Sequence, residues 1–202
     1  MLNKFGALAL AGALAFGSHA ALAQSPPSAS VTGAVTAVTA SEVDVTAADG
    51  TKSAVMLGDK TRYIWTMPMS IDDVKAGSYI GAGAMADGKG GNTAVEITIF
   101  PEAMRGVAEG FSVWNQGPDS TMTNGTVQQV VGTNARTLTV TYNGGQQSVT
   151  IPEGTPVTTF EPTDKASLTV GSHVTVRAFK GDDGTLTAGF VSIGKDGYVP
   201  KG

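Results

Sequence analysis

The sequence predicts an all-β fold built as two tandem small five-stranded barrels joined by a linker with a short helical turn. Three observations lead there. The chain repeats itself: PMSIDDVKAGSYIGAGAMADGKGGNTAVEITIF, from Pro68 to Phe100, aligns without a gap with PTDKASLTVGSHVTVRAFKGDDGTLTAGFVSIG, from Pro162 to Gly194, pairing Gly77 with Gly171 at an offset of 94. Within each copy, apolar residues alternate with Thr, Ala and Asp, the period-2 pattern of half-buried strands. Glycine-containing turn signals separate these runs at intervals suited to hairpins.

In chain order, MLNKFGALALAGALAFGSHAALA has one positive charge at Lys4, an apolar run from Phe5, and Ala21-Leu22-Ala23 before Gln24. This is the pattern of a secretory signal peptide over 1–23, cleaved near Ala23. The run is short and rich in small residues for a membrane span, and no second candidate follows, so no membrane span is expected. The Ser/Pro stretch 24–30 has nothing to bury and reads as a flexible leader. Repeat 1 is assigned to 31–100, the inter-barrel linker to 101–121 and repeat 2 to 122–202.

In repeat 1, Val31, Gly33 and Val35, then Val43 and Val45, form alternating strands, and Asp49-Gly50 marks a tight hairpin. Repeat 2 answers with Gly125, Val127 and Asn143-Gly144. A third strand follows in each. SIDDVKAG (Ser70 to Gly77) and TDKASLTVG (Thr163 to Gly171) then supply a capping residue, one apolar anchor, Val74 or Leu168, and a glycine stop. Two more strands flank the turns at Asp87-Gly88 and Gly181-Asp182-Asp183-Gly184. Five strands with a helical turn between the third and fourth match an OB-like barrel, whose closure also removes exposed edges.

Composition narrows function. Formal charge is −4, and loss of Lys4 leaves the mature chain near −5, which argues against a polyanion-binding role towards DNA, RNA or acidic lipid; nucleic acid is not expected as a partner. Without cysteine there is no disulfide framework, lipid-anchoring Cys or thiolate metal site. Modules of about 80–90 residues hold a small core without staples.

The two copies resemble an exported bacterial domain-of-unknown-function family of tandem small OB-like β-barrels. The pattern is carried by Gly33, Val35, Val38, Asp49, Gly50, Asp73, Lys75, Gly77, Ile80, Asp87, Gly88, Ala94 and Ile97; repeat 2 departs from it with Ser167 and Thr169 where repeat 1 has Asp73 and Lys75. The resemblance covers nearly all of the mature chain, but its motifs are turns and core positions, and it implies a fold. Some tandem members carry a metal-transporter permease label, which a chain without a membrane-spanning segment does not fit.

Three sets of residues are candidates for function. Between the repeats, FPEAMRGVAEGFSVWNQGPDSTM (Phe100 to Met122) has no counterpart; Glu102, Arg105 and Gly106 suggest one helical turn with a surface Glu/Arg pair. Glu102, Arg105, Glu109, Phe111 and Trp114 either line a ligand crevice between the barrels, or Phe111 and Trp114 pack the barrels together while Arg105 ties the linker down. Gly81 and Gly83 face away from Ile80, Ala82 and Ala84, where repeat 2 has Thr175 and Arg177; a strand-interior glycine signals close approach, so this face is expected to be covered by the linker or a partner. Met67 and Met69, with Trp65, are the second set: thioethers at i, i+2 on one face suit Cu(I), and an indole can cover the ion. This set is similar to the Trp/Met-x-Met site of periplasmic copper chaperones, although those add a histidine, and the only mature histidine, His173, is in repeat 2. The alternative is that both methionines are barrel filler. In the third set, Asp182-Asp183 is read as a hairpin tip before a cation site.

No G-x-S-x-G, H-E-x-x-H, P-loop or paired-His spacing occurs. The expectation is a periplasmic or secreted, non-enzymatic binding or scaffold module without cofactor, whose partner is a periplasmic protein or small ligand. The alternatives are a methionine-based Cu(I)/Ag(I) carrier and, more remotely, a glycan-active enzyme using Glu102 and Glu109.

Overall fold

The structure, a computed structural model, describes residues 28–86, 88, 91–114, 116–132 and 136–200. The expected signal peptide, residues 24–27 of the leader and Asp87 of the predicted Asp87-Gly88 turn lie outside the described residues. Among the described residues the chain is all-β, with twelve strands. They are β1 (Ser28–Val38), β2 (Glu42–Thr46), β3 (Lys52–Pro68), β4 (Tyr79–Ala86), β5 (Asn92–Ile99), β6 (Gly110–Val113), β7 (Ser120–Val131), β8 (Arg136–Tyr142), β9 (Gly145–Ile151), β10 (Val157–Thr163), β11 (His173–Lys180) and β12 (Leu186–Gly194). No described helix is long and apolar enough to cross a membrane.

The alternation read from the sequence sets which side chains go inward. Val43 and Val45 of β2, Ile80, Ala82 and Ala84 of β4, and Val174, Val176 and Ala178 of β11 are all buried. Each fully buried Val or Ile contributes on the order of 1.5–3 kcal/mol. The predicted anchors also go inward: Val74 follows a 3-10 turn, Ile71–Asp73, capped by Ser70 and Asp73 in a capping box, and Leu168 follows the Asp164-capped turn Lys165–Ser167.

The strands do not divide at the linker. A closed five-stranded barrel is formed by β1, β2 and β3 from the first repeat with β11 and β12 from the second, through the ladders β1–β2, β2–β3, β3–β12, β12–β11 and β11–β1. Its core mixes Val35, Val43, Val45 and Val55 with Leu168, Val174, Val176, Val191 and Ile193. The remaining strands surround a second core in the reciprocal arrangement: β4 and β5 of the first repeat pair with β7, β8 and β9 of the second, and two residue pairs between β5 and β9 complete the ring. Here Val74, Ile80 and Ile97 meet Val127, Leu138 and Val149. Each repeat, 31–100 and 122–202, is expected to close a barrel of its own; the observed pairing instead divides both repeats between two cores. The physical reason is that equivalent strands present the same inward face, so either copy's closing strands satisfy either copy's opening strands.

Equivalent registers recur throughout. Ala34 pairs with His173, and Tyr79 with Thr126, the same contact with the repeats interchanged. Gly171 N–H donates to Val35 O, and Gly77 N–H to Val127 O, each bond 2.8–2.9 Å long and each crossing between repeats. A Cβ on Gly33 would lie 2.2 Å from Thr46 O, and one on Gly125 would lie 2.3 Å from Thr141 O, so both G-x-V glycines are fixed by the same backbone approach. The chain thus has a pseudo-two-fold relation between its halves.

Local differences from expectation have plain causes. Gly50 and Gly144 take positive φ, 86° and 98°, while Asp49 and Asn143 do not. Asp49 instead accepts a hydrogen bond from Thr51 N at 2.9 Å, an Asx-type closure of a longer loop. In repeat 2 the third strand is broken into β9 and β10 by Pro152-Glu153-Gly154-Thr155-Pro156, because proline supplies no ladder N–H. The short strand β6 inside the linker was not expected; it pairs with β7.

Candidate binding groove

Side chains that alternate away from the two cores meet in a groove of about 520 Å³ on the outer face of the sheet that joins them. Its floor is β3 and β10, which run antiparallel and contribute Ile64, Thr66, Thr158 and Phe160. Thr98 and Glu96 of β5 rise on one side, and Ser192 and Phe190 of β12 with Thr175 and Arg177 of β11 on the other. The C-terminal segment turns back at Gly194, where a Cβ would lie 1.7 Å from Tyr198 O, and brings Tyr198 and Pro200 to the groove.

An aromatic series stiffens one end. Tyr79 and Phe100 meet edge to face with centroids 5.4 Å apart, Phe100 and Phe160 do so at 5.3 Å, and the Arg105 guanidinium lies 5.8 Å from the Tyr79 ring centre. The groove's carboxylate is Glu96. Burial pushes its pKa above the ordinary carboxylate range, and the positive charge of Arg177 opposes the shift only in part. Burial also raises the Tyr198 phenol, with the Glu96 charge adding to it. Loss of the Glu96 proton therefore carries a cost that a cationic or hydrogen-bond-donating ligand group would relieve.

Of the linker candidates Glu102, Arg105, Glu109, Phe111 and Trp114 and the two β4 glycines Gly81 and Gly83, only Gly81 lines this groove. Trp114 does reach the glycine face: a Cβ on Gly83 would lie 2.7 Å from the indole, so the expected covering of this face is provided by the linker. The ring rests on β4, within the strands of the second core, and does not sit between the two cores. Phe111 is 44% exposed and packs little. The predicted turn is present as Glu102–Met104 with Gly106 at φ 86°. Arg105 bridges Glu102 at 2.5 Å and donates to Gly77 O at 2.9 Å and Thr126 Oγ1 at 3.3 Å, while Glu109 accepts from Asn143 N at 2.9 Å. Tyr79 Oη donates to Val107 O and Asn124 Nδ2 to Ala108 O, each at 3.0 Å. These bonds strap the linker along β4 and β7. Glu102 and Glu109 are both exposed, and the hydrogen bond from Arg105 holds the Glu102 carboxyl below its ordinary range, whereas the general acid of a glycan-active pair needs its pKa raised.

Met67, next to last in β3, lies opposite Thr159, and Met69, 38% exposed, follows the strand. Trp65 packs against the first core. Lys195, paired with Glu161 at 3.2 Å, lies with Met67 in the same shallow hollow and puts a positive charge beside the proposed thioether site. Asp183 accepts from Thr185 N at 2.9 Å and so closes its hairpin. His173 is half-buried at the start of β11.

Glu96, Phe160, Phe190, Arg177 and Tyr198 lie outside the site expected from the sequence. One signal for them was present: at matched positions on the outward face, Glu96 stands against Phe190, Thr66 against Phe160 and Gly83 against Arg177, so the repeats differ where their cores agree. Comparison with family models, with curated proteins and with solved structures found no match to the chain.

Proposed function

We propose that the chain is an exported, non-enzymatic binding module in which two OB-like barrels exchange their closing strands and hold a ligand in the groove between them. The observation that carries this reading is the groove itself: about 520 Å³, floored by Phe160 and Ile64, with the half-buried Glu96 aimed at the space. Ligand pockets of this kind combine an apolar lining with a few polar groups that orient the guest. The strapped linker and the aromatic series Tyr79–Phe100–Phe160 hold the walls in place, which lowers the ordering cost of binding.

Native mass spectrometry of the mature protein isolated from the periplasm, together with identification of co-purifying molecules, is the test. A bound small molecule lost in Phe160→Ala supports the groove. A protein partner retained by Phe160→Ala and lost on changing the exposed linker residues Phe111 and Val113 would replace the ligand reading with a scaffold role. Recovery of the full-length chain in the cytoplasm would overturn the export reading.

A further inference from the structure

We infer that a second site, at the outer end of the first barrel, takes a single-chain amphiphile with an anionic head group. The inference rests on the proposed role as a binding module but not on occupancy of the central groove. The site is a pocket of about 560 Å³ lined by Gly58, Lys60, Thr61, Ala188, Gly189 and Phe179, and it meets the groove at Arg62, Arg177 and Phe190.

The pocket exists because two ladders beside β12 are interrupted at the same place. On the β11 side, Arg177 pairs with Phe190 and Ala178 with Ala188, which skips Gly189. On the β3 side, Leu57 pairs with Ala188 and Arg62 with Phe190, which leaves 58–61 looped out. The loop is pinned rather than loose: Thr61 is buried, donates to Ala188 O at 2.8 Å and accepts from Gly58 N at 2.9 Å. The apolar wall is built without a side chain at Gly189, where a Cβ would lie 2.8 Å from the Phe179 ring, and Phe179 itself is 50% exposed. An unbranched chain lies along such a wall without displacing anything.

The head group follows from charge. Arg62, Phe190 and Arg177 are successive partners across three neighbouring strands, so their side chains leave the sheet on one face with Phe190 between the two guanidinia. Lys60 adds a third cation at the rim. Among the described residues none of the three takes part in an ion pair within 4 Å; Arg177 feels the Glu96 charge at longer range. Three cations around an apolar hollow, in a chain of net charge −4, match an acidic head with an apolar tail.

The pseudo-two-fold provides an internal control. At the matched positions around the second core stand Pro156, Glu96 and Gly83 in place of Arg62, Phe190 and Arg177, and the matched bulge between β4 and β5 forms all the same. The fold therefore does not require cations there, and their presence at one end only is a matter of recognition.

The test is calorimetric titration of the mature protein with dodecanoate, dodecyl phosphate and dodecanol, each below its micellar concentration. At least one anionic amphiphile is expected to bind tenfold or more tightly than dodecanol, and whichever of the two wins assigns the head as carboxylate or phosphate. The double variant Arg62→Gln/Arg177→Gln is expected to lose that preference while its melting temperature stays within a few degrees of the parent. Equal affinity for dodecanol and the anions, or no binding of any of them, overturns the site. Anion binding abolished by Phe160→Ala but untouched by the double arginine variant also overturns it, and leaves the central groove standing. Loss of the periplasmic ligand in Phe160→Ala with dodecanoate binding intact leaves both sites in place.

Discussion

Thr66 pairs across the β3–β10 ladder with Phe160, the residue 94 positions later that holds the same place in the second repeat. In an antiparallel ladder between equivalent strands, only the position on the symmetry axis can face its own equivalent. The pseudo-two-fold therefore passes between these two residues and through the floor of the groove. A groove on such an axis has walls of one backbone design that can carry different side chains, as Glu96 and Phe190 do. The strand exchange and the groove have one origin: the continuous run of β3 beyond its own barrel supplies both the crossover and the floor.

The exchange makes the linker dispensable for cohesion. A protease site inserted after Gln116 and cut in the folded protein is expected to leave the two fragments together in size-exclusion chromatography at the elution volume of the intact chain. They should separate only in denaturant. Each core draws strands from both fragments, so separation would expose Val43, Val45 and Ile193 in one core and Ile80, Leu138 and Val149 in the other. Fragments that part under native conditions would refute the exchange.

Gly83 and Trp114 offer a local probe. Gly83→Ala places a methyl 2.7 Å from the indole, and is expected to cost about 1–3 kcal/mol in overpacking. In a Trp65→Phe background, the emission of Trp114 should shift to the red as the ring lifts away. Trp114→Ala, which truncates a half-buried ring, is expected to cost about 2 kcal/mol, less than a fully buried one. It should leave the radius of gyration in solution scattering unchanged, because the ring sits on β4 and does not join the two cores.

Much of this was legible in the sequence. The strands, the anchors Val74 and Leu168, the Arg105–Glu102 turn and the closeness required at Gly83 all follow from local spacing and turn chemistry, which a sequence states directly. The exchange was not legible, because Val35 meets the segment after Leu168 with the same complementarity it would have for the segment after Val74. Repeats identical in pattern cannot declare which copy they pair with. The groove depends on that choice, so Glu96, Phe160 and Arg177 come together only once the pairing is known. The place of the linker depends on the same choice, since β6 docks on β7 and Trp114 reaches Gly83 of β4.

Glu96 makes stability depend on pH. Its folded-state pKa is raised above the unfolded value by burial, so the folded chain binds the proton more tightly than the unfolded chain does. Stability is then full below the ordinary glutamate range and falls as pH rises through the raised value. Glu96→Gln should remove this fall, with a melting temperature close to the parent at pH 4 and higher than the parent at pH 7. A variant whose melting temperature drops at pH 7 would mean that the ionised carboxylate is stabilised by Arg177, and that burial is the weaker influence.

The last prediction concerns one repeat alone. In the whole chain, residues 28–100 contribute three strands to the closed barrel and two to the strands around the second core, so a fragment of this length has an incomplete partner set on both sides. A second copy of the fragment completes both sets by the same exchange, and the β3 strands of the two copies then cross with Thr66 facing Thr66. Threonine pairs are favourable cross-strand neighbours, and the crossover ladder is available only to the dimer. The fragment is expected to be a folded dimer by light scattering, dissociating on dilution with concurrent loss of β structure, since stability and association are then one equilibrium. A folded monomer would show that β4 and β5 can turn back onto their own barrel. In that case the geometry of the linker, tied down through Arg105 and Glu109, would be what directs the exchange in the intact chain, and Arg105→Ala should then release the two halves into independent barrels.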